Sequence, residues 1–236
     1  MLYRRVLLKL SGESMAGEAG SGIDPSRLDY YISEIGKVVS SGVSLGIVIG
    51  GGNIFRGLEG SSMGTDRVQG DYMGMLATVI NGMALEAGLR ARGISATLLS
   101  GLEISGITCK ATRANIQHSF EQSKVVIFSG GTGNPFFTTD TAAALRAAEM
   151  EADVLLKGTR VDGVYTSDPE KDPNAERLSA LGFGEAIAKG YRILDLTAFT
   201  LCQENNIPIL VFNINTPGNL LSVLEGGGIS TIVHNE

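Results

Sequence analysis

Residues 125–140 read VVIFSGGTGNPFFTTD, and the fold turns on how this stretch is read. The apolar run 125–128 has the unbroken hydrophobicity of a strand buried on both faces. The alanine-rich run 141–151 has the composition of a helix. Between them, Gly130, Gly131 and Gly133 let backbone N–H groups come close to a ligand. Thr138 and Thr139 add hydroxyls, and either suits the cap of a helix starting near Asp140. Strand, glycine turn, hydroxyls and helix N-terminus together make a place for an anion. A plain turn has no use for the adjacent Phe136 and Phe137, which favours a ligand site.

Outward from this unit the same alternation repeats. Apolar runs at 6–10, 43–49, 96–99, 153–156, 208–212 and 229–233 read as strands. Helices are expected at 25–40, 66–92, 112–120, 183–189 and 195–205. Asp24 is placed to cap the first of these, with Pro25 at its first position. Its apolar face is Leu28, Ile32, Ile35 and Val39. The pattern predicts a three-layer αβα sandwich with a mostly parallel central sheet. In the long helix, Val68, Tyr72, Leu76, Val79 and Met83 form an apolar stripe. Gly70, Gly74 and Gly82 weaken that helix in isolation, so close packing against a partner is expected to support it. Met73, Met75 and Met83 read as core or interface. Turn signals dominate 160–182, and the glycine-rich segments 17–22 and 60–64 are candidate mobile loops.

At 236 residues, 43% of them hydrophobic, the chain suits a single domain with a sizeable core. A net charge of −6 argues against non-specific nucleic-acid binding. Any anionic substrate must therefore meet a few placed cations and backbone amides. Two cysteines and two histidines, without metal-ligand spacing, argue against a zinc site. Cys109 and Cys202 are expected to be free, buried thiols in a reducing cytoplasm. No apolar run approaches the ~18 residues of a membrane span. Gly42-Val43-Ser44-Leu45-Gly46 matches GxSxG, but Ser44 begins a strand instead of ending one, so it is not a nucleophile elbow.

In open α/β sheets, ligands lie beyond the carboxyl ends of strands. Four such ends carry Lys9-Leu10-Ser11-Gly12, Gly50-Gly51-Gly52-Asn53, Gly131-Thr132-Gly133 and Lys157-Gly158-Thr159. Lys9, Arg56 and Lys157 lie on or near three of them, as a polyphosphate requires. Gly36-Lys37 is the only Gly-Lys pair and Val38 follows it, so there is no Walker A motif. Phe55 and Phe136 occupy the places where a GxGxxG fingerprint needs its third glycine.

Five motifs carry a resemblance that runs, in order, through essentially the whole chain. They are KLSGE at 9–13, IGGGNIFRG at 49–57, GDYMGMLAT at 70–78, GTGNPFFTTD at 131–140 and KGTRVDGVYTSDP at 157–169. The sequence resembles the bacterial UMP kinases (uridylate kinases) of the amino acid kinase superfamily. The resemblance implies Mg²⁺-dependent transfer of the ATP γ-phosphoryl to UMP in pyrimidine biosynthesis.

Carried over by position, Lys9, Leu10, Ser11 and Gly12 hold ATP phosphates, and Lys9 neutralises charge on the group in transfer. Gly52 and Arg56 lie on the ATP side, with Thr159, Tyr165 and Asp168 around its nucleoside. Gly51 and Asp71 contact UMP, and Asp71 accepts from the ribose hydroxyls. Thr132, Gly133, Asn134, Pro135, Phe136, Phe137, Thr138 and Thr139 wrap the UMP base and phosphate. Asp140 orients Lys9 or the metal, and no residue is assigned as a metal ligand. Residues 1–150 would then hold the acceptor and 151–236 the ATP nucleoside. Homohexamers with UTP feedback are general among such enzymes, and some respond to GTP. Thr97 and Lys124 stand where certain relatives place arginines for GTP.

Blander readings stand beside these. Asp71 also reads as a charge near a helix N-terminus, Tyr165 as a packed loop aromatic, and Lys157 as a solvated strand end. Alternative activities are another amino acid kinase, acting on a carboxylate or carbamate, and a non-catalytic nucleotide-binding assembly.

Overall fold

The apolar runs become a single nine-stranded sheet in a computed structural model that describes residues 1–55, 64 and 66–235. Strands β1 (Arg5–Leu10), β2 (Ser44–Ile49), β3 (Ala96–Ser100), β5 (Val125–Ser129), β6 (Val154–Thr159) and β10 (Ile209–Asn213) are the expected ones. Edge strand β4 (Cys109–Lys110) and the pieces β7 (Val164–Tyr165), β8 (Arg177–Leu178) and β9 (Ala180–Gly182) were not expected. Strands of two or three residues are too short to show a period. The last strand is β11 (Ser230–His234).

The order β4-β3-β5-β2-β1-β6-β10-β11-β9 is parallel throughout except at β10–β11, and β7 pairs only with β8. All five residues of β5 are buried, as its unbroken hydrophobicity predicts.

Helices cover both faces. On one, α1 (Pro25–Ser40), α2 (Arg67–Ala91) and α7 (Asn219–Glu225) pack Tyr31, Ile35, Leu85, Leu89 and Leu224 onto Leu8, Leu45 and Ile127. On the other lie α3 (Arg113–Gln122), α4 (Thr139–Glu149), α5 (Phe183–Ala188) and α6 (Leu196–Glu204). They cover Leu7, Val48, Val126 and Leu155. The result is the predicted three-layer sandwich.

Asp24 caps α1 by accepting from the Arg27 N–H at 2.8 Å. The short helix α7 was missed because its seven residues lie between left-handed Gly218 and Gly226 in a stretch that reads as loop. Within 17–22, residues Gly17–Ala19 form a 3-10 turn, and the 60–64 segment lies outside the described residues except for Gly64.

Two expectations about side chains need correction. Of the proposed α2 stripe only Val79 is buried; Val68, Tyr72, Leu76 and Met83, joined by Met73 and Ile80, face outward. The inward face is Gly70, Met75, Thr78, Asn81, Gly82, Leu85 and Leu89. A Cβ on Gly82 would lie 2.8 Å from Leu98 Cδ1, so small residues are what let the helix sit down on the sheet. Cys202 is buried, and burial pushes its thiol up to about 12, but Cys109 is exposed; both are free.

Candidate active site

Two lysines meet because two strands are in register. β1 and β6 are parallel neighbours that pair Leu7 with Leu155, Leu8 with Leu156 and Lys9 with Lys157. Side chains alternate along a strand, so both lysines project to the face of Leu7 and Leu155, the face that α4 covers. Asp140, in the first turn of α4, stands between them. Its Oδ1 lies 2.6 Å from Lys9 Nζ and its Oδ2 accepts from Lys157 Nζ at 2.9 Å. Lys157 also donates to the Ile193 carbonyl. The side chains are only 12–18% exposed.

This burial sets the electrostatics. Desolvation alone would raise the Asp140 carboxyl, but the charges and hydrogen bonds of Lys9 and Lys157 outweigh it and hold the group below the usual aspartate value. For Lys157 desolvation wins. The ammonium lies below the ordinary lysine value, with Asp140 opposing the shift and Lys9 adding to it. One carboxylate between two ammonium groups leaves a positive charge near the strand ends. Fixed cations of this kind suit an anionic ligand.

Three cavities adjoin one another beside this trio. The first, about 590 Å³, is lined by Lys9, Ser11, Gly12, Gly51, Gly52, Asp71, Thr132, Phe137, Thr138 and Thr139. The second, about 760 Å³, shares Lys9, Ser11 and Glu13 with the first and is also lined by Lys157, Thr159 and Arg160. The third, about 550 Å³, shares Lys157 and Thr159 with the second and reaches Tyr165 and Asp168. Lys9 thus marks the first junction and Lys157 the second, while Asp140 lines none of the three.

One wall of the first cavity is loop, and it faces Arg67, Gly70, Asp71, Gly74, Met75 and Thr78 of α2. Gly130, Gly131 and Gly133 all have positive φ, and a Cβ on Gly133 would lie 2.4 Å from the Gly101 carbonyl oxygen. The Gly130 N–H donates to Thr78 Oγ1 on α2 at 2.7 Å. Phe136 takes φ 71°, a left-handed conformation uncommon for a side-chain-bearing residue. Its N–H donates to Asp71 Oδ2 at 2.7 Å. Arg67 Nε lies 3.0–3.1 Å from both Asp71 oxygens, and its guanidinium sits over the Phe136 ring at 5.5 Å. Asp71 is therefore more than a dipole partner, since it ties α2 to the loop. Thr138, not Thr139, caps α4 by accepting from the N–H groups of Asp140 and Thr141. Those amides are already satisfied, which shifts the anion-binding role from the helix end to the lysines.

The remaining expected residues fall as follows. The Leu10 side chain is core, leaving only its main chain near the site. Gly133, Asn134, Pro135 and Phe136 belong to the wall loop, where the Thr132 hydroxyl exchanges hydrogen bonds with the Asn134 main chain at 3.2 Å. Tyr165 donates to Asp162 at 2.5 Å, which raises its hydroxyl's pKa. The Asp168 carboxyl is lowered, first by the Glu170 N–H and then by Lys171. Arg56 lies outside the described residues.

The residue undervalued from sequence is Lys157. Its signal was the repeat Leu-Leu-Lys, at 7–9 and again at 155–157. Asp195 carried no motif at all. It caps α6 through the Ala198 N–H at 2.8 Å and accepts from the Thr138 and Thr141 hydroxyls, steadying the helix that presents Asp140.

For a metal the donor set is sparse. Among the described residues no three His, Cys, Asp or Glu side chains gather as a cage. That chemistry suits an ion carried in by a nucleotide, since Mg²⁺ keeps waters and takes few protein carboxylates. Glu13 is the carboxylate that lines both the first and the second cavity.

Comparison with known proteins bears out the fold. Residues 4–213 match the model of the amino acid kinase family. A uridylate kinase of Parabacteroides distasonis is 54% identical over 99% of both chains. One of Pseudomonas paraeruginosa is 51% identical over 98% of this chain and 94% of its own. The crystal structure of UMP kinase from Ureaplasma parvum superposes with a TM-score of 0.94 at 40% identity, covering both chains completely. That from Bacillus anthracis gives 0.96 at 33% identity, over 100% of this chain and 98% of its own. With a family model covering most of its length and relatives aligned end to end, this chain belongs to the amino acid kinase family.

Proposed function

We infer that the protein is a UMP kinase, transferring the γ-phosphoryl of ATP to UMP to give UDP and ADP in pyrimidine nucleotide biosynthesis. The observation that carries this is the Lys9–Asp140–Lys157 trio beside the junctions of three adjoining cavities, in a chain whose full-length relatives bear the name uridylate kinase. In this reading the first cavity takes UMP, the second the ATP phosphates and the third the ATP nucleoside, with Thr159, Tyr165 and Asp168 beside it. Residues 1–150 then form the acceptor lobe and 151–236 the nucleoside lobe.

The chemistry asks little of the protein beyond placement and charge. A phosphate monoester has its second pKa near ~6, so the UMP oxygen attacks as an anion at neutral pH without a general base. Lys9, at the first junction, meets the group in transfer, and Lys157, at the second, meets the donor side. Asp140 keeps both ammonium groups in place. Leu10, Ser11 and Gly12 offer main chain and a hydroxyl to the phosphates, with Gly52 and Arg56 assigned to the same side. Gly51, Asp71 and the loop of Thr132, Gly133, Asn134, Pro135, Phe136, Phe137, Thr138 and Thr139 enclose UMP. Asp71 Oδ1, which among the described residues accepts from Arg67 alone, is the oxygen assigned to the ribose hydroxyls. Mg²⁺ bound with ATP would neutralise phosphate charge, with Glu13 the carboxylate at hand.

The outward stripe Val68, Tyr72, Met73, Leu76, Ile80 and Met83 is 38–50% exposed and continuous along α2. An apolar stripe of that kind supports burial against a second copy and one contact of a homohexamer. UTP shares its uridine with UMP and is the feedback inhibitor to test. No described helix is long and apolar enough to cross a membrane, and we place the enzyme in the cytoplasm on the family's role.

The deciding experiment is a coupled assay with ATP, Mg²⁺ and each nucleoside monophosphate in turn, with carboxylate and carbamate acceptors as controls. UMP should be strongly preferred. Turnover of CMP, AMP or a carboxylate in its place would overturn the assignment.

A further inference from the structure

We propose that a buried pair of amides, Asn53 and Asn81, is a positioning device for phosphoryl transfer that couples the acceptor cavity to the phosphate cavity. Asn53 follows the triple-glycine turn after β2, and Asn81 lies on the inward face of α2; they are 3% and 0% exposed. Each donates to the other, Asn53 Nδ2 to Asn81 Oδ1 at 3.0 Å and Asn81 Nδ2 to Asn53 Oδ1 at 2.7 Å. The second hydrogen of each amide goes to main chain, from Asn81 to the Gly50 carbonyl and from Asn53 to the Gly22 carbonyl, both at 2.7 Å. The Gly22 N–H returns to the Asn53 carbonyl at 2.8 Å. Every side-chain donor in the pair is used.

A fully satisfied amide pair adds little net stability over two apolar side chains of the same shape, but it adds direction. What it directs is the set of backbones that line the reaction path. A Cβ on Gly12 would lie 2.6 Å from the Gly50 carbonyl oxygen and 2.7 Å from Asn53 Oδ1. One on Gly51 would lie 2.8 Å from both Ala77 Cβ and the Gly74 carbonyl oxygen. The turn after β1, the glycine turn and α2 are thus in direct contact, and the amide pair fastens them. Gly12, Gly50, Gly51 and Gly52 line the first cavity. The 17–22 segment held at Gly22 contributes Gly17 and Glu18 to the second. One buried pair therefore sets the height of the glycine turn relative to both cavities.

This rests on the phosphoryl-transfer reading above and predicts a split between stability and rate. Asn81→Leu alone strands the Asn53 amide and should lower both the melting temperature and kcat. The double variant Asn53→Leu/Asn81→Leu should recover most of the melting temperature, while kcat per folded molecule stays roughly tenfold to a hundredfold down, the cost of a misplaced reacting group. KM for UMP and for ATP should move much less than kcat. A double variant with kcat near wild type would overturn the proposal and leave the pair a structural fastening only. If the double variant does not fold, Asn81→Ser decides, with folded enzyme counted by equilibrium binding of UMP. A several-fold lower kcat per binding site supports the proposal, and an unchanged kcat defeats it. An inactive wild type would instead defeat the UMP kinase reading itself.

Discussion

The floor of the reaction path and the wall of its first cavity are built by opposite means. The floor is regular structure: two parallel strands in register bring Lys9 and Lys157 side by side, and a capped helix brings Asp140 between them. All three are largely buried. The wall is a loop set against α2, with a left-handed Phe136 that is 64% exposed, held to α2 by the carboxylate of Asp71 and topped by Arg67. In the proposed reading each kind of structure has its own job. Neutralising charge in flight needs groups that do not move, and strands in register supply them. Choosing an acceptor needs shape, and a loop pinned at a few points can be reshaped without disturbing the floor.

The largest expected effect lies on the floor. Lys9→Ala should lower kcat roughly a hundredfold or more, as loss of a transition-state charge contact implies, with KM for UMP little changed. Lys157→Ala should lower kcat too and raise KM for ATP, since the proposed reading puts its junction on the donor side. Steady-state kinetics with either substrate varied reads both, and a Lys9 variant that loses only UMP affinity would erase the distinction between floor and wall.

A smaller effect belongs to the wall. Asp71→Asn should raise KM for UMP about tenfold while kcat holds, because one or two hydrogen bonds to ribose weaken. An unchanged KM would move the acceptor's ribose away from Asp71 and favour a different acceptor.

The smallest effect is a shift in pH dependence. Burial already lowers the Lys157 pKa, and Asp140 is what limits that fall. As pH rises through the lowered value, the ammonium loses its proton and the phosphates lose a partner, so kcat declines on the alkaline side. In Asp140→Asn the restraint is gone, and the alkaline limb should move to lower pH. Asp140 itself lies below the ordinary aspartate value, so the stability it contributes is present above that value and lost as pH falls through its own pKa. A pH–rate profile of the two enzymes checks the direction.

How much of this could be read in advance depended on how locally each feature is written. The central strands announced themselves as short apolar runs, and β5 with its glycine turn carried both fold class and site. The α2 stripe was legible as a pattern but not in its direction. Hydrophobicity pointed Tyr72 and Leu76 inward, whereas the sheet demanded the close approach that only Gly82 and its small neighbours allow. Lys157 read equally as a phosphate cation and as a solvated strand end, and only the register sets it beside Lys9. Asn53 and Asn81 are 28 residues apart, and nothing local marks them as partners. Contacts between elements decide such residues, and no window of sequence holds both sides.

In the proposed reading the floor transfers the phosphoryl group while the wall selects its acceptor. The most direct test is a single-turnover measurement on Asp140→Asn with ATP and UMP both saturating, alongside equilibrium binding of UMP. The expected result is a transfer step slowed roughly a hundredfold with UMP affinity within about threefold of wild type. A transfer step near the wild-type rate, or a defect confined to UMP binding, would contradict it.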